Sequence, residues 1–148
     1  MKSLIAGMVF GFAVCIAHAG LDADIPAAQQ AVLPGAWAPT PEETTRALQA
    51  AQDFLENPGE QPAWTKRQIA DILAHAPGYR VQFTGVEEAG RRMIRCSFFP
   101  AGRAGEPERF PGWKEQVVVV LDGGFWFWQI DYDVETGACR GLSINGDA

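Results

Sequence analysis

The spacing of hydrophobic residues divides the chain into a helical part followed by an extended part. In "TPEETTRALQAAQDFLENPG", Ala47, Leu48, Ala51, Phe54 and Leu55 recur at helical intervals and form one apolar stripe. Thr40 suits the cap and Pro41 the first helical position, while Glu42 and Glu43 fall near the positive end of the helix dipole. Asn57-Pro58-Gly59 ends the helix. "TKRQIADILAHAPG" predicts a second, shorter helix, capped by Thr65, burying Ile69, Ile72 and Leu73 and stopped by Pro77-Gly78.

From Tyr79 the period becomes two. "YRVQFTGVEE" sets Tyr79, Val81 and Phe83 against Arg80, Gln82 and Thr84, the pattern of a strand with one wet face. "AGRRMIRCSFFP" returns after a turn around Gly90, with Ile94, Cys96 and Phe98 opposite Met93, Arg95 and Ser97. Ala101 to Trp113 has the composition of a long loop. Val117 to Leu121, the Asp122-Gly123-Gly124 turn and Phe125 to Asp133 predict a hairpin, and a last strand is expected over about Arg140 to Asn145. Helices first and strands after imply an α+β domain, with N-terminal helices packed on a curved antiparallel sheet of about five strands.

The chain before Pro41 has a different character. "MKSLIAGMVFGFAVCIAHAG" combines Lys2, an apolar run from Leu4 to Ile16 and the small-x-small ending Ala17-His18-Ala19, which is the pattern of an export signal over residues 1–19. The run is too short for about 30 Å of hydrocarbon, and Val14 before Cys15 disfavours lipid attachment, so no stable membrane anchor is expected. Cleavage near Ala19 would place the protein in the periplasm or outside the cell. Residues 20–40, rich in Ala and Pro, read as a flexible extension, although Trp37 is costly to leave in water and is expected to fold back. Residues 41–148 then form a single domain.

Twelve basic and 18 acidic residues give a net charge of −6; without Lys2 the balance is 11 against 18, or −7. That charge repels phosphate backbones, so nucleic acid is not an expected partner. Loss of Cys15 with the leader would leave Cys96 and Cys139, an even pair in an oxidising compartment, so a disulfide stabilising the fold by about 4 kcal/mol is expected. Strict alternation places Cys139 opposite Leu142 and Ile144, whereas Cys96 shares a face with Ile94 and Phe98. A bulge near Gly141 would reconcile the two, as would placing Cys139 in the preceding turn.

The stretch with most chemistry is Phe125 to Val134. Trp126, Trp128, Ile130, Tyr132 and Val134 form an apolar row that should meet the helices; Phe125, Phe127, Gln129, Asp131 and Asp133 form the other, aromatic and then acidic. Phe125 and Phe127 need a cover: the Ala101 to Trp113 loop, the extension with Trp37, or another molecule. Asp131, Asp133 and Glu135 share one face, but they lack the loop spacing and glycine of a calcium-binding hand. They read as a solvated row beside arginines such as Arg80, Arg95 or Arg140, with no metal. His75, the one histidine left after leader removal, lies at a helix end where positive charge is favoured. No nucleophile triad, phosphate cradle or paired-thiol redox motif is present, so neither catalysis nor a cofactor is expected.

The element order from Thr40 to Asn145, with the "LDGGFWFWQIDYD" segment, resembles cystatin-like and NTF2-like proteins, in which a helical N-terminal part packs into a bent antiparallel sheet. The NTF2-like resemblance implies a cone-shaped pocket lined by Trp126, Trp128 and Tyr132, with His75 or Asp71 as polar groups. The Gln-x-Val-x-Gly hairpin loop of cystatins is not found, so cysteine-protease inhibition does not carry over. The leading expectation is a protein-binding module of the cell envelope, such as an inhibitor or an immunity protein, with an unidentified protein partner. Its interface would comprise Phe125, Phe127, Asp131 and Asp133, together with Arg103, Glu106, Glu108, Arg109, Phe110 and Trp113 from the long loop. A small-molecule pocket protein or enzyme, and a structural envelope component, are the alternatives.

Overall fold

The computed structural model describes residues 20–147; the expected export signal lies outside the described residues. Helix α2, Pro41–Glu56, begins as the sequence predicts. Thr40 Oγ1 accepts the Glu43 amide at 3.2 Å while the Glu43 carboxylate accepts the Thr40 amide at 2.9 Å, a reciprocal capping box. The second predicted helix, α3, starts three residues early: it spans Ala63–Ala74 behind Pro62, and Thr65 is not its cap.

Strands β2, Tyr79–Glu88, and β3, Arg91–Pro100, form a hairpin closed by Ala89-Gly90, both at positive φ. Strand β4 is Trp128–Asp133, and β5 is Cys139–Ile144. The predicted Val117 to Leu121 hairpin strand does not form. Sheet order is β1-β2-β3-β4-β5, where β1 is Gln30–Leu33, so both edges of β4 are occupied, and the valine segment runs outside every strand. The β4 strand also starts late, because Gly123 and Gly124 at φ 95° and 55° lead into a tight turn over Gly124–Trp126.

The flexible extension expected over residues 20–40 is ordered instead. It forms α1, Leu21–Asp24, then β1, Gln30–Leu33, which pairs in parallel with the outer edge of β2 and makes the sheet mixed rather than wholly antiparallel. Leu21 and Ile25 are fully buried, so burial of their apolar surface offsets the cost of ordering the segment. Trp37 does fold back, bridging to Gly85.

All three helices cover one face of the sheet. Leu48, Leu55, Ile72, Phe83, Ile94 and Ile130 are among the residues of that core. A smaller core of Phe99, Trp113 and Phe127 lies on the opposite face. No helix of the described residues is long and apolar enough to cross a membrane.

The bulge anticipated near Gly141 is present. Arg140 to Ser143 on β5 spans one residue more than Asp131 to Gln129 on β4, and Gly141 sits at φ 69°. Cys139 therefore joins Cys96 in packing on the helical face. The expected disulfide is nevertheless not formed: both thiols are free. Strand β4 lies between the strands that carry them, and two strand spacings amount to about 9–10 Å, beyond the roughly 7 Å that a disulfide tolerates.

Candidate functional site

The long connection between β3 and β4 is the cover that Phe127 requires. Phe110 and Trp113 fold down onto Phe99 and Phe127, edge to face, with ring centroids 5.4 to 6.0 Å apart. This burial explains why the outer face of β2 is not wet as its alternation predicts. Gln82 is buried there and serves the loop with its whole amide, accepting from the Val118 amide at 3.0 Å and donating to the Gln116 carbonyl at 2.7 Å and to the Trp113 carbonyl. Arg80 stacks 4.7 Å above Trp113 and donates to Gln29 and Glu108. The Arg80 bond, with one from the Phe110 amide, holds the Glu108 carboxyl below its usual value.

Beyond Trp113 the chain rises into Val117 to Leu121. It is fastened at one end by Gln82 and at the other by Asn145, whose side-chain amide donates to the carbonyls of Val120 at 2.6 Å and Asp122 at 3.0 Å. Between the fasteners, Val118 and Val120 pack inward, whereas Val117, Val119 and Leu121 are 61, 74 and 91% exposed. The peptide groups of these three make no hydrogen bond to any described residue. Beneath the segment runs a groove of about 390 Å³ whose walls include Thr84, Arg95, Ser97, Gln129 and Ser143. Arg95 is held by two parallel bonds of 3.0 Å to Asp131, which raise its pKa further.

A second cleft, of about 460 Å³, opens at the other end of the connection, between Gly78, Pro100 to Arg103, Arg109 and Trp126. Trp126 is half-buried, with its ring edge against Gly78 and the His75 ring 5.1 Å away in a T-shaped arrangement.

The expected interface residues are thereby dispersed. Phe127 and Trp113 are buried, and Arg109 lies over the rings of Phe110 and Phe127. Phe125 does not share a face with Phe127, because the turn at Gly124–Trp126 breaks the alternation; it packs toward the helical core, 5.0 Å from His75. Asp131 is engaged by Arg95. Asp133 is not part of a solvated row but buried, accepting the Glu135 and Thr136 amides and pairing with Arg91.

Among the expected pocket residues, Trp126 alone lines the second cleft. Trp128 lies flat on Phe98 at 3.8 Å within the helical core, and Tyr132 is buried in the same core. His75 is exposed, one ring nitrogen 2.8 Å from the Asp71 carbonyl. Among the described residues, no group of three or more His, Cys, Asp or Glu side chains is placed to hold a metal ion.

Val117 to Leu121, expected as one strand of a hairpin, is instead a surface segment outside every strand. Its uninterrupted valines favour a strand locally, and nothing within the segment shows that both edges of β4 are already taken. Compared with known proteins, the chain matches no family model, no curated protein and no solved structure.

Proposed function

We propose that the protein is an exported binding module of the cell envelope, an inhibitor or immunity protein, which takes an extended segment of a protein partner along Val117 to Leu121. It acts by binding rather than by catalysis. The observation that carries this reading is the presentation of that segment: three alternate aliphatic side chains face solvent, and their peptide groups are free to pair. An extended chain with unpaired peptide groups is a template for an added strand. Backbone bonds then supply affinity, and alternate side chains supply specificity. The groove beside it offers hydrogen-bonding groups for the partner's side chains.

The test is affinity capture from envelope extracts with the chain from Gly20 as bait, alongside Val119→Asp and Leu121→Asp. A stoichiometric protein retained by the parent chain and lost by both variants, whose melting temperatures match the parent's, is the expected outcome. Retention by the variants, or no partner for the parent, overturns the proposal. Concentration-dependent sedimentation of the protein alone, abolished by the same substitutions, would instead make the partner a second copy of this chain.

A further inference from the structure

The second cleft departs from the acidic balance of the molecule. In a chain with 18 acidic and 12 basic residues, its mouth gathers Arg103 and Arg109, with Arg80 behind them, against Glu106 and Glu108. Glu108 is already committed, to Arg80 at 2.8 Å and to the Phe110 amide at 2.9 Å. Glu106 stands 4.0 Å from Arg103 with both side chains well exposed, an ion pair of little strength. Arg109 has no carboxylate within ion-pair distance among the described residues; its guanidinium is held over two aromatic rings. Two guanidinium groups are thus available to an anion, and the cleft has the volume of a small-molecule site.

The walls define the rest of the ligand. Pro77, Pro100 and Pro107 have no backbone N–H to donate. Trp126 supplies a flat apolar surface, and its position is fixed: a Cβ on Gly78 would come within 3.2 Å of its ring, and His75 packs against it at 5.1 Å. We propose that this cleft binds a small aromatic acid, its ring against Trp126 and the prolines and its carboxylate on Arg109 and Arg103. The site is separate from Val117 to Leu121 and does not depend on a protein partner.

Titration calorimetry of the full chain against 2-naphthoate, neutral 2-naphthamide and cationic 2-naphthylmethylamine tests it. Saturable binding is expected for the acid, roughly tenfold or more tighter than for the amide, with the amine weakest. Arg103→Gln with Arg109→Gln, both at exposed positions, should remove that advantage while leaving the amide's affinity unchanged; Trp126→Leu should weaken both ligands. Val119→Asp should leave all three affinities as they are, so the two sites fail or stand separately. Equal affinity for acid and amide, no saturable binding of the acid, or an acid affinity indifferent to the arginine substitutions overturns the proposal.

Discussion

Trp37 and Gly85 meet backbone to backbone, so closely that a Cβ on Gly85 would collide with the Trp37 carbonyl. The Ala36 amide donates to the Gly85 carbonyl at 2.9 Å, the Trp37 indole N–H donates to the Val86 carbonyl at 3.1 Å, and Arg92 lies 4.0 Å above the indole. Gly85→Ala must push this strap off the sheet. A loss of about 1–3 kcal/mol is expected by urea denaturation. Gly146→Ala, whose Cβ meets nothing within 4 Å, is the control and should change stability little.

Leu21 and Ile25 carry the same strap into the main core. Both are fully buried although they belong to a segment with almost no periodicity. Leu21→Ala and Ile25→Ala should each cost about 2–5 kcal/mol in equilibrium unfolding, as core truncations do. Costs below about 0.5 kcal/mol would return residues 20–40 to the status of a mobile extension.

These residues also mark how far the sequence is legible. Helix α2 and the β2–β3 hairpin are announced by local signals, a cap, a stripe and an alternation, each complete within its own segment. The pair Leu21 and Ile25, four residues apart, is too little pattern to announce a four-residue helix whose order depends on distant α2 and the sheet. Val117 to Leu121 has strong local preference for a strand, yet whether an edge is free to receive it depends on β3 and β5. The candidate sites fail to show for the same reason. Trp126, Arg103 and Arg109 are each conspicuous, but only the path of the loop brings them to one cleft.

Separation of Cys96 from Cys139 by β4 makes a chemical prediction. The protein denatured without reductant should titrate both as free thiols, and mass after alkylation should be the same with or without prior reduction. In the native state neither should react readily. Burial pushes the Cys139 thiol up to about 12 and Cys96 well above its ordinary value. In the unfolded chain these groups ionise near pH 8.5, so above that pH the unfolded state binds fewer protons and stability falls as pH rises. The urea midpoint should therefore decline from about pH 8.5 upward, with buried Tyr79 adding to the slope above about pH 10. Replacing both cysteines by Ala should flatten the first part of that decline. An unchanged slope would mean that the thiols are not its source.

Asp133 governs the opposite limb. It closes the β4–β5 turn, one carboxylate oxygen accepting the Glu135 amide at 2.9 Å and the Thr136 amide at 3.2 Å, the other pairing with Arg91. Burial pushes its pKa up, but the Thr136 and Glu135 amides and the Arg91 charge outweigh that and hold it below the usual aspartate value. As pH falls below about 4, the unfolded chain takes up this proton before the native one does, so the contribution present at neutral pH is lost on passing through the native pKa. Asp133→Asn preserves an oxygen for the turn amides but removes the charge opposite Arg91, whose Nε already lacks a partner. The variant should be less stable at pH 7, and the difference from the parent should shrink as pH drops through 4 toward 2, roughly the range over which a salt-bridged carboxylate titrates. Parallel acid limbs for the two proteins would assign the acid sensitivity to other carboxylates, with Glu108 on Arg80 the next to substitute.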